Sequence, residues 1–389
     1  MNALRQIVAV TSIGLRAIPQ RLGASLVVVV GMGGVVAVTI SILSLSTGYM
    51  RTIHNSGRAD RVIVMSHNAQ YEFGSSITRE NALAIADAPG LRRAADGKPI
   101  VSAEALTSIV VTKRSNGLDF NMVLRGLGPE GLALRPEVKL ISGRMYRPAT
   151  HELIAGQSAQ SEFEGLEIGD KVSLPDGDWT VTGSFETGGS GLESELLSDS
   201  ETLLSGMRAN AFKSMTVMLG RPEDFKRFKA ALSTNPALLV DVIPESEYLA
   251  SQAKQLNGFL TVVAYLVGGI MGLGALFGAL NTLYSAVSTR SVEIATLRVF
   301  GFGAAAILTS VLAEALLLSL LGAAIGAFAA WCAFNGNLHA AGSLVFRLTV
   351  TPALMGEGIG LACGLGLLGG LLPAVRAARV PVAVALRAS

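Results

Sequence analysis

Only two cysteines, Cys332 and Cys363, occur in the 389 residues, and both stand in apolar stretches. That excludes a disulfide framework and a cysteine-based metal site. The four histidines (His54, His67, His151 and His339) have no metal-ligand spacing, so no metal centre is expected. Charge is also scarce. Asp, Glu, Lys and Arg make up 15% of the chain, where a soluble domain carries about 25%. The net charge of +2 comes with no basic stripe and no interleaved aromatics, which argues against a nucleic-acid partner. No G-x-x-x-x-G-K-[ST], G-x-S-x-G, H-E-x-x-H or C-x-x-C occurs. The chain therefore lacks a Walker A loop to cradle ATP phosphates and shows no nucleophile or acid–base constellation. Neither a catalytic residue nor a cofactor is expected in it. Gly188-Gly189-Ser190-Gly191 reads as a flexible loop, since no strand-to-helix context or following lysine makes it a phosphate cradle.

What the chain has instead is long apolar runs. No charged residue stands between Arg21 and Arg51, or between Lys254 and Arg290. A third run, from Val299 to Phe346, is broken only by Glu314, and a fourth follows Glu357. About 20 apolar residues cross a bilayer core. The runs predict transmembrane helices at 22–46, 258–284, 304–333 and 353–375. The first run is too long for a signal peptide's apolar region, so it is expected to be a membrane helix. Arginines mark three flanks: Arg5, Arg16 and Arg21 ahead of the first helix, Arg290 and Arg298 in loop 285–303, and Arg376, Arg379 and Arg387 in tail 376–389. The loop between the third and fourth helices carries Arg347 alone. The positive-inside rule makes the three arginine-bearing flanks, and both termini, cytoplasmic. Residues 47–257 are then expected outside. Segment 1–21 predicts a cytoplasmic amphipathic helix over 3–18, stopped by Pro19.

Small residues four apart suggest strips for packing within the bundle or in a dimer: Gly268, Gly272, Gly274 and Gly278 in the second helix, Gly322 and Gly326 in the third, and Gly360 and Gly364 in the fourth. Glu314 is an intramembrane acid. Such a group is costly and faces the bundle interior or a partner; a hydrogen-bonded structural acid is the favoured reading, a proton or substrate site the other.

The outer segment reads as a two-lobed α+β domain. An α+β lobe is expected from 58–135 and 210–250, with a β-rich lobe from 138–207 inserted in it. Strand-like runs occur at 61–65, 106–112, 120–125, 179–185 and 214–219, and a helix over 78–88 is expected with Thr78 as its cap. Strand 214–219, helix 222–232 and the apolar run 238–243 read as a β-α-β unit, while Pro175, Asp176 and Gly177 mark a hairpin turn.

Within loop 285–303, Val292, Ala295, Leu297 and Val299 mix with Arg290, Glu293 and Arg298, which predicts a short amphipathic helix ending at Gly301. Such a helix can dock into a groove on a soluble partner. The motif Arg290, Glu293, Ile294, Leu297, Arg298, Gly301 resembles R-x-x-E-I-x-x-L-R-x-x-G of the MacB/FtsX-type permeases of ABC transporters. Asn281–Ser285, Glu314–Leu318, and the ending Leu371-Leu372-Pro373-Ala374 with Ala377-Ala378-Arg379, Pro381 and Ala385-Leu386-Arg387 are similar to that family's segments too. Gly188-Gly189 with Glu193-Ser194-Glu195 resembles a stretch of its periplasmic core domain. One departure is Val384, where many relatives carry an acid.

The resemblance implies a permease of the bacterial inner membrane without a fused ATPase. ATP and magnesium would sit on a separate ABC ATPase subunit. The six motif residues would couple the two by mechanotransmission, and a second permease copy or a paralogue would complete the pair. Export of a periplasmic or lipid-like substrate is the first expectation, with a periplasmic adaptor or a lipoprotein carrier as further partner and membrane lipids around the helices. The alternatives are a lipoprotein-release or lipid-handling permease and a non-transporting regulator of cell-wall hydrolases.

Overall fold

A computed structural model describes residues 6–8, 10–12, 22–54, 56–235, 238–341 and 344–379. Residues 6–8 and 10–12 are helical; the rest of the helix expected over 3–18 and the motif residues Pro381, Val384, Ala385, Leu386 and Arg387 lie outside the described residues. The chain divides into two compact units. One comprises Met1–Thr47, Asn257–Asn337 and Leu348–Ser389, the other Gly48–Leu256 and Leu338–Arg347.

Among the described residues four helices, α1 (Leu22–His54), α6 (Glu245–Thr289), α8 (Ala304–Phe334) and α9 (Pro352–Ala378), are long and apolar enough to cross a membrane. Two of them outrun the apolar runs that announced them: α1 continues past residue 46, and α6 begins before residue 258 with Glu245 and Glu247 in its first turn. Acids there complement the positive helix end. The core of this first unit is made of small and aliphatic residues. Val36 and Ile40 of α1 meet Ala323 and Ala327 of α8 and Ala362 of α9, and Val28 and Met32 meet Ala279 of α6 and Leu318 of α8. One flank of α6, including Phe259, Val262, Leu266, Ile270 and Phe277, is exposed. Apolar side chains are at home there only in lipid or against another apolar helix.

The second unit is built on one continuous path of paired strands. The strands on that path are β1 (Arg61–Ser66), β3 (Val101–Thr112), β4 (Asp119–Leu127), β5 (Lys139–Gly143), β6 (Glu152–Gly156), β7 (Lys171–Leu174), β8 (Gly177–Glu186), β9 (Leu196–Asp199), β11 (Ser214–Met218) and β12 (Val240–Pro244), while β2 (Ile77–Thr78) and β10 (Ala211–Phe212) pair only with each other. The order is β12-β1-β11-β3-β4-β9-β6-β8-β5, with β7 added on β8. Strand β3 is the hinge of the topology. Val101–Glu104 pair with β11, and Ala105–Thr112 pair with β4. Parallel pairing of β4 with β9 then brings in residues 138–207. The two expected lobes thus share one path of strands and one apolar core, in which Val62 and Ile85 belong with Leu153 and Trp179. A single strand long enough to pair twice makes that junction, and no local sequence pattern announces it.

Local expectations hold closely here. Thr78 caps helix α2 (Arg79–Ala86), accepting a hydrogen bond from the Asn81 amide at 3.2 Å. Short helices α3 (Gln157–Glu162) and α4 (Ser200–Gly206) follow β6 and β9, and strands β11 and β12 flank β1 on either side, joined through helix α5 (Phe225–Ser233). Strands β7 and β8 form a hairpin in which Leu174 faces Gly177, whose φ of +133° suits glycine. A second hairpin, β13 (Leu338–Ala341) with β14 (Leu344–Arg347), stands outside the expected strand pattern and belongs to this unit. The Ser194 hydroxyl holds it, donating to the Val345 carbonyl at 3.0 Å and accepting from its amide at 2.8 Å.

Candidate functional site

The loop between α6 and α8 forms a separate helix, α7 (Ser291–Val299). It ends in a Schellman motif: the Gly301 amide donates to the Arg298 carbonyl and the Phe302 amide to the Leu297 carbonyl, each at 3.1 Å. Gly301 takes φ +86°, a conformation that costs glycine little. The six motif residues divide by direction. Ile294 is buried with Val287, Ile307 and Ala377. The Arg298 guanidinium donates to the Ala378 carbonyl at 2.5 Å, tying α7 to the end of α9. Arg290 lies 3.1 Å from Glu293 and 3.6 Å from Glu314. Leu297 is half-buried beside a cavity of about 360 Å³ that Arg290 and Glu314 also line. Glu293 is exposed, and Val292, Thr296, Val299 and Phe300 are exposed with it. Apolar Val292, Val299 and Phe300 on the open side form the helix's presentable face. The motif had not included them, although their alternation with buried Ile294 and Ala295 was there to be read. Glu314 is thus a carboxylate beside a guanidinium from the loop, the geometry of a structural brace. Gln6 adds a second tie, donating to the Gly301 carbonyl at 3.4 Å and accepting from the Gly303 amide at 3.3 Å.

The second unit holds a cluster of buried charge. Arg125 donates to Glu195 at 2.7 Å, Glu104 at 2.8 Å and Glu72 at 2.9 Å. Arg135 reaches Glu104 at 2.7 Å. Arg61 reaches Glu245 at 2.7 Å and Glu137 at 2.5 Å. Burial pushes the Glu104 carboxyl upward, but the guanidiniums of Arg135 and Arg125 outweigh it and hold the group below 4.5. On the surface, Glu152 is held at about 2, chiefly by its paired hydrogen bonds with Arg144. Both groups have folded-state values below the ordinary one. The stability they contribute is present above 4.5 and is lost as pH falls through the folded values. Thermal melting followed from about pH 6 to about pH 3 should show a steadily falling midpoint, and Glu152→Gln should flatten that fall.

Two family models match this chain. The MacB-like periplasmic core domain matches residues 25–235, and the FtsX-like permease C-terminal domain matches residues 265–382. The chain belongs to the MacB/FtsX-type permease family. Among solved structures, the extracellular domain of the noncanonic ABC-type transporter YknZ from Gram-positive bacteria is 15% identical, with 47% of this chain and 99% of that chain covered and a TM-score of 0.36. The periplasmic region of MacB from Actinobacillus actinomycetemcomitans is also 15% identical, with 54% and 96% covered and a TM-score of 0.36. No curated protein matches the chain. Permeases of this family work with ABC ATPase partners and often dimerise.

The expected packing glycines of this permease divide by what faces them within the chain. Gly322 and Gly326 do form a close crossing. A Cβ at Gly322 would lie 2.5 Å from the Val29 carbonyl oxygen, and one at Gly326 would collide with the Gly33 carbonyl. Gly268 lies against the Thr39 hydroxyl, Gly272 against Leu365, and Gly278 only grazes Val27. Gly274, Gly360 and Gly364 meet nothing within 4 Å among the described residues. On α9 the close approaches are made by Gly358, Gly366, Gly369 and Gly370 instead. Spacing of four marks a strip along a helix but not the direction the strip faces; only the neighbouring helices set that. Gly33, in the Gly31-Met32-Gly33-Gly34 group of α1, was missed although its clustering was visible. Gly326→Ala should lower the free energy of unfolding in detergent by about 1–3 kcal/mol through overpacking. Gly360→Ala should stay within about 0.5 kcal/mol of the parent.

Proposed function

We propose that this permease is driven by a separate ABC ATPase whose surface receives α7, and that nucleotide-driven movement of the ATPase is passed into the helices. The observation that carries this reading is the construction of α7. An apolar, exposed face stands on a helix braced three ways, by Arg298 on the Ala378 carbonyl, Arg290 beside Glu314, and buried Ile294. A helix free to pivot would absorb an applied push; a braced one passes it to α8 and α9. ATP and magnesium would reside on the partner. The lipid-facing flank of α6 and the family's habit of pairing support a second permease copy or paralogue.

The purpose we assign is mechanotransmission: ATP hydrolysis moves the periplasmic core domain and promotes export of a periplasmic or lipid-like substrate. Arginine placement supports an inner-membrane location with cytoplasmic termini and α7 on the cytoplasmic side. The test is affinity purification of the full chain from its native membrane. A nucleotide-binding subunit should co-purify, and its ATP hydrolysis should rise when the permease is present in lipid. Purification of the chain without such a subunit, or hydrolysis indifferent to it, would refute the reading. Reporter fusions at residues 100 and 295 should fall on opposite sides of the membrane.

A further inference from the structure

The second unit contains a cavity of about 410 Å³ beside the buried ion cluster. Its size falls within the roughly 300–1,000 Å³ of small-molecule sites. Part of the lining is apolar and aromatic: Tyr49, Ile53, Phe73 and Leu249. The charged part is unbalanced. Glu72, Glu137, Glu195 and Glu245 line the cavity against Arg61, Arg125 and Arg135, and Glu104 stands behind them, shared by Arg125 and Arg135. The nearby Arg58 guanidinium is paired with Asp60 at 2.8 Å and spends most of its charge there, although Glu137 and Glu245 also feel it.

The guanidinium donors are largely engaged within the protein. Arg61 uses Nε on Glu245, Nη1 on Glu137 and the Leu134 carbonyl, and Nη2 on the Ser56 carbonyl. Arg125 uses all three nitrogens on Glu72, Glu104 and Glu195. Arg135 is taken by Glu104 and the Gly131 carbonyl. Acceptors are in surplus, and the buried Oε2 of Glu137 accepts no hydrogen bond. An anionic ligand entering here would meet an excess of carboxylate and donors already committed. A cation would supply the charge and the donors that the wall lacks, and its apolar remainder would cover the aromatic and aliphatic part.

We propose that this cavity binds a small organic cation, an amine or guanidinium on an apolar body, with its charge against Glu137 and Glu245 and its body against Tyr49, Phe73 and Leu249. The site lies in the second unit alone and needs no ATPase, so its failure would leave the proposed function standing. The test uses the full chain in lipid nanodiscs, with empty nanodiscs subtracted, titrated with phenethylamine, 2-phenylethanol and 3-phenylpropionate. Phenethylamine should bind saturably, about tenfold or more tighter than either isostere. Glu137→Gln should weaken it by about tenfold, and Leu249→Trp, which fills the cavity, should abolish it while the melting midpoint stays near that of the parent. The proposal is overturned if no probe saturates, if the three bind alike, if the carboxylate binds best, or if both variants bind phenethylamine as the parent does.

Discussion

Phe300→Asp is expected to cut association with the ATPase subunit by about a hundredfold or more and to abolish permease-dependent stimulation of ATP hydrolysis, with the permease still folded. Phe300 is 75% exposed and Val299 61% exposed, so a change there removes no core contact. At an interface the same side chains would be buried anchors, and truncating such an anchor costs about 2–4 kcal/mol, before the penalty of a desolvated carboxylate is added. Glu293→Lys should weaken association less, since an exposed charge acts mainly on encounter and register. Arg290→Met has a different signature. It leaves Glu314 without the guanidinium 3.6 Å away, so ATPase binding should persist while coupling to transport falls. Pull-down with a matched hydrolysis assay separates the two effects. If Phe300→Asp leaves both association and hydrolysis unchanged, the face of α7 lies in the lipid interface and is no docking surface.

Arg125→Met should be the most damaging single change in the second unit, lowering unfolding free energy by about 3–5 kcal/mol. The residue is 8% exposed and holds three carboxylates at once. Removing it strands Glu72 and Glu195 in a poorly solvated site, while Glu104 keeps Arg135. The loss is therefore the cost of orphaned charge more than of lost attraction. A triple variant, Arg125→Met with Glu72→Gln and Glu195→Gln, should recover much of the stability, because neutral amides can be buried more cheaply than carboxylates. Denaturant midpoints of the full chain measure both. Arg79→Met, which breaks an exposed pair with Glu201, is the control and should leave the midpoint in place. Equal effects of Arg125→Met and Arg79→Met would show that the cluster carries no special weight.

How much of this was legible beforehand follows the range of the interactions. The apolar runs, the strands around 61–65 and 106–112, the Thr78 cap and the turn before Gly177 are set by residues within a few positions of one another. Such patterns can be read directly. The motif around Arg290 was visible for the same reason, as a local alternation closed by Gly301. What α7 does with each residue was not. Arg298 finds a carbonyl at Ala378 and Arg290 a carboxylate at Glu314, partners dozens of positions away. Gly33 meets a neighbouring helix within the chain and Gly360 and Gly364 do not, a difference that the spacing of four along one helix cannot carry. The ion cluster has no local signature: Glu72, Glu104, Arg125, Glu195 and Glu245 are scattered over the chain, and each alone reads as an ordinary surface charge.

Sequence by itself determined that this protein has four membrane-length apolar helices, a large α+β segment between the first two, a capped helix in the arginine-bearing loop and a resemblance to a permease family. Those follow from hydropathy, turn chemistry and short-range spacing, which act along the chain. The tertiary structure alone decided which glycines admit a neighbouring backbone, which side of α7 is open, how β3 joins two groups of strands, and where eight scattered charges gather around a cavity. These depend on contacts between residues far apart in the chain, and only the folded backbone brings such residues within a few ångströms.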